Sequence, residues 1–460
     1  MLKKFIILIA ISLGLGLFTR HLGLSSQQAL SISIFSVSIL GTLFFWDFRL
    51  SFAFLGTSIL LITKTIDLDN LIKFSSLEII LFLVGMMVLI GLLKEAGLFA
   101  WLVSLILRIR KLTAKKFLIS ISVISALLAC AVDEVTSIIF MVAAILEICD
   151  YFEVNPAPFI IASVLTTNIG SAGTVLGNPI GILIATKAGL SFEDFIIKAF
   201  PLMLACLGST IFILMIYYRK ALNEFDHKIK ELGENEILTR LISVPPERQL
   251  KLCLGIFGVT LLFISLHHRL ELFLGLETNT ILLTVPLISA GLVMIWKWRK
   301  AREYIEHDVE WWTLLFFLLL FAQAGTLKYT GATDVLAKHL VSLTGNNVSV
   351  LSGIVLWISA AGSSILDNVV LVAAFIPIVQ SFQGLNFSLQ PLWWALLFGG
   401  CLGGNITLVG STANIVALGI LEKEKKIRVS FFQWFWVGLI VGVVTTIIVW
   451  LALLILPIYK

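Results

Sequence analysis

The chain has 460 residues, of which 59% are hydrophobic and only 13% carry a charge. A soluble domain has about 25% charged residues, so this chain has too little polar surface for a water-soluble globule of its size. The formal net charge of +5 is small, and its basic residues lie in short clusters between apolar runs, which excludes a nucleic-acid-binding face. The composition therefore predicts an all-α polytopic membrane protein whose main partner is the lipid bilayer.

The first apolar segment follows Lys3 and Lys4 and continues from Phe5 to Thr19. No small-x-small cleavage site follows it, and the rest of the chain is equally apolar. We therefore interpret residues 1–27 as an N-terminal membrane helix, anchored by its lysines on the cytoplasmic side.

A first membrane repeat is predicted at 28–218. Its apolar pieces 117–132 and 135–149 are shorter than the roughly 20 residues that a helix needs to span the bilayer. Short pieces joined by a polar tip are typical of a re-entrant helical hairpin, here 117–150, which must be covered by protein or must line a water-filled cavity. The apolar run 156–190 contains Asn, Thr, Gly and Pro residues, which predicts an interrupted helix.

The hydrophilic stretch 219–251 mixes acidic and basic residues and contains a Pro-Pro pair, so it is predicted to be a cytoplasmic linker. A second membrane repeat follows at 252–460. It has the same two features, a hairpin at 349–382 and an interrupted helix at 392–420.

Landmark residues recur at a constant spacing in the two halves. Lys94 and Asp133 recur 234 positions later as Lys328 and Asp367. A second set recurs 233 positions later, namely Gly170, Thr174 and Gly177 as Gly403, Thr407 and Gly410. This register indicates an internal duplication.

Basic clusters predict the orientation of the two repeats. The segment before the first hairpin carries Arg108, Arg110, Lys111, Lys115 and Lys116, whereas its counterpart at 340–350 has no Lys or Arg. Because basic residues accumulate on the cytoplasmic side, the first segment is predicted inside and the second outside. Counting crossings then gives about eleven transmembrane helices, a cytoplasmic N-terminus, a C-terminus outside and two inverted-topology repeats, which is the build of secondary transporters.

Acidic residues at both hairpin tips are the first candidate site. They are Asp133 and Glu134, with Thr136, in the first half and Asp367, with Asn368, in the second. A carboxylate in hydrocarbon costs at least about 2.5–3.5 kcal/mol on insertion scales, so water, a cation or helix dipoles must compensate. Alternatively, each Asp only caps the helix that follows it.

Polar breaks in the two interrupted helices are the second candidate site. Their oxygen-bearing side chains are Asn168, Thr174 and Asn178 in the first half, and Asn405, Thr407, Ser411 and Asn414 in the second. Unwound backbone and amide or hydroxyl oxygens suit a hard cation, and we expect Na⁺ to be possible at Asp133, Asn168, Asp367 and Asn405. Tight helix packing through small residues is the alternative explanation of the glycines.

These segments resemble the ion transporter superfamily, which includes arsenite permeases, NhaD-type antiporters, the P protein and citrate and dicarboxylate transporters. The specific matches are a D-N-V-T-T-like tip at 133–137 and an N-I-G-G-x-x-T-x-x-G-D-P-P-N-like break at 168–181. Within these motifs the chain has Glu134, Asn178 and Gly181 where many relatives have Asn, Asp and Asn. The resemblance implies a homodimer and an elevator-type transport mechanism.

The sequence thus predicts a secondary active transporter of the cell membrane and no enzyme. The first hypothesis is Na⁺/H⁺ antiport, because a desolvated or paired carboxyl can exchange a proton for a cation. The alternative is Na⁺- or H⁺-coupled transport of a small anion such as arsenite or a carboxylate, and an ion channel is a third possibility. No cofactor is expected beyond Na⁺ or H⁺ as the coupling ion, and the scattered cysteines and histidines predict no zinc site.

Overall fold

The structure is a computed structural model, and it describes residues 2–21, 23–107, 109, 112–232, 248–344, 347–383 and 388–459. These residues form helices and connecting turns, and they contain no β-strand. Arg108, Arg110 and Lys111 of the basic segment, and 233–247 of the predicted linker, lie outside the described residues.

The first half contains twelve described helices, the last of which belongs to the predicted linker. In chain order they are α1 (Leu2–His21), α2 (Ser26–Phe44), α3 (Arg49–Ile62), α4 (Leu68–Phe74), α5 (Leu77–Glu95), α6 (Leu98–Leu107), α7 (Ala114–Ala131), α8 (Glu134–Tyr151), α9 (Ala157–Gly170), α10 (Pro179–Ala188), α11 (Phe192–Tyr217) and α12 (Arg219–Leu232). A 3₁₀ turn, Trp46–Phe48, joins α2 to α3.

The second half has the same alternation of long and short apolar helices. Its helices are α13 (Arg248–Ser265), α14 (His267–Leu274), α15 (Thr280–Trp296), α16 (Ala301–Glu303), α17 (Trp311–Tyr329), α18 (Ala332–Thr344), α19 (Val348–Ser363), α20 (Asn368–Gln380), α21 (Gln390–Gly403), α22 (Thr412–Lys425) and α23 (Phe431–Ile455).

Eight of the described helices are long and apolar enough to cross a membrane, namely α1, α2, α5, α7, α11, α13, α17 and α23. Five shorter apolar helices accompany them, and these are α9, α10, α15, α19 and α20. Large apolar side chains face outward, for example Leu17 and Phe18 on α1, which are 69% and 60% exposed. An apolar exterior of this kind is stable in lipid and not in water.

Helix pairs occupy both predicted hairpins, but those of the first pair are longer than predicted, since α7 and α8 have 18 residues each and α7 is long enough to cross a membrane. In the first, α7 ends at Ala131 and α8 begins at Glu134, so the connection is only two residues long. Thr113 caps α7 and Asp133 caps α8, because their side-chain oxygens accept backbone N–H groups of the first helical turn. In the second pair, α19 ends at Ser363 and Asp367 caps α20.

Breaks of equal length separate α9 from α10, at 171–178, and α21 from α22, at 404–411. Gly170 at the first break lies so close to α7 that an added Cβ would be 2.2 Å from the carbonyl oxygen of Ala126. Gly403 has the same relation to Ala360 on α19, also at 2.2 Å. The duplicated glycines of the sequence thus make duplicated backbone contacts, which only glycine permits.

The beginning of the predicted linker is folded onto the membrane part. Helix α12 is amphipathic, and Phe225 on it is fully buried, with its ring 5.2 Å from that of Phe117 on α7. Asp226 accepts a hydrogen bond from Ala114 N at 2.7 Å. Although 219–251 is polar in composition, α12 within it has one apolar face that packs against α7. The linker also ends earlier than predicted, because α13 already begins at Arg248.

Candidate functional site

Glu134 and Asn368 join the tips of the two helix pairs. Asn368 Nδ2 donates to Glu134 Oε1 at 2.9 Å and to Oε2 at 3.2 Å. Ser411 Oγ also donates to Glu134 Oε1, at 3.4 Å. Glu134 is 2% exposed and Asn368 is fully buried, so the contact between the halves lies inside the protein.

Asp133 lies beside Glu134 but has a different set of partners. Its Oδ1 accepts the N–H groups of Val135 at 2.8 Å and Thr136 at 3.0 Å, which caps α8. The φ angle of Asp133 is +147°, in a region that favours glycine and costs a non-glycine residue on the order of 1–3 kcal/mol. The cap helps to hold this strained turn, and in doing so it directs the neighbouring Glu134 toward the second half.

Asp367 occupies the equivalent position at the second tip. Its Oδ1 accepts Val369 N at 3.1 Å and its Oδ2 accepts the Thr412 hydroxyl at 2.6 Å, so it connects α20 to the start of α22. Asp367 also lines a cavity of about 70 Å³ together with Trp46 and other residues of α2, α20 and the second break. Asp133 and Glu134 are not among the residues that line this cavity.

Asn168 is the centre of a buried amide cluster. Its Nδ2 donates to Asn405 Oδ1 and to Asn414 Oδ1, both at 2.9 Å. Asn405 Nδ2 in turn donates to Leu165 O at 3.2 Å. All three amides are fully buried, and their bonds tie the end of α9 to the second break.

One acceptor of this cluster has no partner. Asn168 Oδ1 is buried and receives no hydrogen bond in the structure. An amide oxygen that is buried without a donor costs about 1–3 kcal/mol, and a cation or a water molecule would remove this cost. Asn414, by contrast, uses its Nδ2 on two carbonyls of the second break, Gly404 O at 2.8 Å and Thr407 O at 2.9 Å.

The remaining predicted residues shape the breaks. Thr174 and Thr407 each donate their hydroxyl to a backbone carbonyl at the C-terminal end of the first helix of the preceding pair, Cys130 O of α7 and Ser364 O after α19 respectively. Both acceptors and both donors are related by the repeat of the sequence. The two breaks are therefore held in the same way in both halves.

Asn178 and Ser411 also correspond to each other, and each caps the helix that restarts after its break. Asn178 Oδ1 accepts Gly181 N at 2.8 Å, and Ser411 Oγ accepts Ala413 N at 3.2 Å. Asn178 Nδ2 further donates to Ser171 Oγ at 2.9 Å. These caps direct two helix N-termini toward the interior, which favours negative charge there.

The predicted residues thus form one contiguous region. Among the described residues, the side-chain hydrogen bonds between the two tips are those of Asn368 with Glu134, and none joins Asp133 to Asp367. Three contributors were missed by sequence reasoning. Thr412 binds Asp367, Ser171 interacts with Glu134, and Arg49 is attracted by Asp367.

No basic side chain neutralises this acidic region directly. Among the described residues, no Lys, Arg or His forms an ion pair with Asp133, Glu134 or Asp367. The same part of the chain holds no group of three or more His, Cys, Asp and Glu residues that could bind a metal ion. The donors on Glu134 are neutral amides and hydroxyls, so the site can accept a proton or a cation whose remaining ligands are neutral oxygens.

Comparison with known families agrees with the helical fold and with the family resemblance of the motifs. Residues 42–399 match the family model described as CitMHS, citrate transporter. This match covers more than half of the chain, so the protein belongs to this family, which lies within the ion transporter superfamily that the motifs indicated. It is therefore a multi-pass membrane protein of a transporter family.

Curated relatives are similar over most of the chain. An uncharacterized transporter of Mycobacterium bovis is 31% identical over 373 residues, which are 80% of this chain and 83% of the relative. The P protein of Homo sapiens is 28% identical over 447 residues, 81% of this chain and 52% of the relative. Among solved structures, the YdaH transporter of Alcanivorax borkumensis matches with a TM-score of 0.52 and 14% identity, over 85% of this chain and 88% of that one. This last likeness concerns the fold alone.

Proposed function

We propose that this protein is an ion-coupled secondary active transporter and that it exchanges Na⁺ for H⁺. The observation that carries the proposal is Glu134, a carboxylate only 2% exposed whose hydrogen-bond donors are neutral. A buried carboxylate without a cationic partner is costly. Proton binding or cation binding removes this cost, and a group that must always carry one of the two is suited to exchanging them.

The neighbouring oxygens support a cation site beside Glu134. Asn168 Oδ1 is an unpaired buried acceptor, and Ser171 connects Asn168 to Glu134, because its hydroxyl donates to Asn168 O at 2.9 Å and its side chain interacts with Glu134. Six or more oxygen ligands are typical of hard cations, and a flexible set of amide and carboxylate oxygens supplies them. Asp133 and Asp367 add negative charge at the two tips, within the electrostatic reach of Glu134.

In this proposal, the two related halves also allow the site to open to one side of the membrane and then to the other. The matched contacts of Gly170 and Gly403, and those of Thr174 and Thr407, support two structurally related halves. We propose that these halves have inverted topology, that the tips and breaks move together as the transport part of an elevator, and that the protein is a homodimer. Inverted repeats with broken helices at the midplane are the common build of secondary transporters.

Coupled transport of a small anion is the second candidate, because the family model is described as a citrate transporter. Here the cation at Glu134 would neutralise the acidic site, since fixed carboxylates repel an anion. The helix N-termini after Asn178 and Ser411 would then face the anion.

The test is flux in proteoliposomes containing the purified full chain. Na⁺, Li⁺, pH gradients, arsenite and dicarboxylates are scanned first, and the variants Glu134→Gln and Glu424→Gln are then compared. Glu424 is exposed, so its variant controls for the loss of one carboxylate and should transport like the wild type. We expect Glu134→Gln to abolish coupled flux, and wild-type flux in that variant would refute the proposed site.

A further inference from the structure

Arg49 is a buried cation to which the proposed function assigns no role. It begins α3, directly after the turn Trp46–Phe48, and it is 5% exposed. A guanidinium has five N–H donors and no acceptor. Burying it is costly unless these donors and the charge find partners.

The contacts of Arg49 satisfy only part of this need. Its Cζ lies 3.9 Å from the ring centroid of Trp46 and 5.3 Å from that of Phe316, so the guanidinium stacks between aromatic faces. Its Nη2 donates to Thr313 Oγ1 at 3.3 Å. In the part of the chain that the structure describes, it forms no ion pair within 4.0 Å.

Two carboxylates lie within electrostatic reach of Arg49. Their charges, those of Asp367 and Glu310, attract the guanidinium. Glu310 is exposed at the start of α17 and is already linked to Arg49 through Thr313, whose hydroxyl donates to Glu310 Oε2 at 3.3 Å. Asp367 is the buried one of the two, at 5% exposure.

A cavity is lined by Asp367 and by Trp46, the residue on which Arg49 stacks. One wall is formed by α2 and the turn that follows it, including Trp46, on which Arg49 stacks. The opposite wall is the second tip, including Asp367. The volume of about 70 Å³ is room for more than one water molecule, since about 10–15 Å³ is enough to hold one. The guanidinium and the carboxylate thus belong to different elements, and Trp46 and Asp367 share one cavity that can hold water.

We propose that Arg49 is an internal counter-cation for Asp367, which competes with the transported cation for this carboxylate. This inference rests on the proposed function, because it assigns Asp367 to the cation site. When the cation leaves, Arg49 neutralises the vacated carboxylate, so the empty site does not retain an uncompensated buried charge. When the cation binds, Arg49 returns to Trp46 and Thr313. Arg49 is a positioning residue here and does not touch the cation.

The competing explanation is that Arg49 is a structural anchor that holds α3 against α17 by aromatic stacking. The two explanations differ in what they predict for cation affinity. If Arg49 competes with the cation, removing its charge raises the affinity of the site for the cation. If Arg49 only anchors α3, removing it lowers the amount of folded protein or the maximal transport rate and does not raise the cation affinity.

The experiment measures Na⁺ affinity in two ways, as the KM for Na⁺-dependent flux and as the Na⁺ concentration that half-stabilises the purified chain against thermal unfolding. Arg49→Gln is expected to lower both values at least about tenfold, the size of the interaction between two unit charges about 10 Å apart at an effective dielectric constant of about 20. Arg49→Lys keeps the charge and should restore affinity to near the wild-type value. Arg299→Gln is the matched control, because Arg299 also stacks on a Trp ring, at 5.2 Å, but is exposed.

The dependence on Asp367 completes the test. In an Asp367→Asn background, Arg49→Gln should leave the residual Na⁺ affinity unchanged. The proposal is overturned if Arg49→Gln alone leaves the Na⁺ affinity unchanged, or if it changes the affinity equally in the wild-type and Asp367→Asn backgrounds. It is also overturned if Arg49→Lys behaves like Arg49→Gln, or if the wild-type chain binds neither Na⁺ nor Li⁺. If Glu134→Gln abolishes flux while Arg49→Gln leaves affinity unchanged, this inference fails and the proposed function stands.

Discussion

Asn168 on α9 donates hydrogen bonds to Asn405 and Asn414, residues that lie more than 230 positions further along the chain. One amide group thereby joins the end of the first interrupted helix to both ends of the second break. We expect Asn168→Ala to leave two buried amide oxygens without a donor, which costs about 1–3 kcal/mol for each group.

Thermal unfolding of the purified protein in detergent checks this expectation, and proteoliposome flux checks the consequence for transport. Asn168→Ala should unfold several degrees below the wild type and should lose transport. Asn70→Ala serves as the control, because Asn70 bonds only to Asp67 near the surface. A variant of Asn168 with unchanged stability and flux would show that the amide cluster does not join the halves.

Asp133 offers a way to separate helix capping from charge. Asp133→Asn retains an oxygen that can accept the Val135 and Thr136 N–H groups, so we expect nearly wild-type stability. Asp133→Ala removes the cap and should lower the free energy of unfolding by about 1 kcal/mol. Under the proposed function both variants weaken Na⁺ affinity, because both remove a negative charge near Glu134. Asp133→Asn and Asp367→Asn variants that both transport like the wild type would remove the aspartates from the site.

The duplicated glycines predict equal sensitivity in the two halves. Gly170→Ala and Gly403→Ala each place a methyl group 2.2 Å from a backbone oxygen, and overpacking of this kind costs about 1–3 kcal/mol or more. Gly208→Ala is the matched control, since an added Cβ there meets nothing within 4 Å, and alanine stabilises a helix relative to glycine. Thermal unfolding of the three variants is the measurement, and tolerance at one of the two sites but not the other would contradict the equivalence of the halves.

The threonine contacts provide a second comparison between the halves. Thr174→Val and Thr407→Val each remove a hydroxyl donor from a buried carbonyl, Cys130 O or Ser364 O, and each should destabilise the protein by about 1–3 kcal/mol. Thr→Ser at either position retains the hydroxyl and should be nearly neutral. Equal stability of the valine and serine variants, measured by thermal unfolding, would show that these bonds do not hold the breaks.

All five cysteines are free and buried, as their apolar sequence surroundings predicted. A membrane-permeant maleimide should therefore label the native protein in membranes slowly and the denatured protein completely. Cys401 is the informative one, because it contacts Asn178 in the first break. If the breaks open to water during transport, adding Na⁺ or changing the pH should alter the labelling rate of Cys401 and leave that of Cys253 unchanged.

Much of the fold could be predicted from local patterns. The short apolar pieces 135–149 and 368–382 correspond closely to α8 and α20, because an apolar run between polar ends forms a helix whatever surrounds it. The breaks were located by their Asn, Thr, Gly and Pro residues, since glycine and proline interrupt a helix locally. The linker was less predictable, because the buried face of α12 depends on Phe117, which lies far away in the sequence.

The site was only partly predictable for the same reason. Constant spacing and charge were enough to select the two tips, with Asp133 and Glu134 in the first half and Asp367 and Asn368 in the second. That Glu134 and Asn368 bond to each other, while Asp133 caps its own helix, is a contact between distant segments that the sequence did not show. The burial of Arg49 could not be predicted, since the sequence around an arginine at the start of a helix does not show whether its side chain is buried or solvated.

Taken by itself, the sequence determined that this is a helical membrane protein with two related halves, acidic tips and polar breaks, because composition, spacing and capping act over a few residues or one repeat. The tertiary structure alone decided which carboxylate bridges the halves, which amide oxygen stays unpaired and which arginine is buried opposite Asp367. These are contacts between residues far apart in the chain, and their energies depend on packing and on the exclusion of water, which no local pattern encodes.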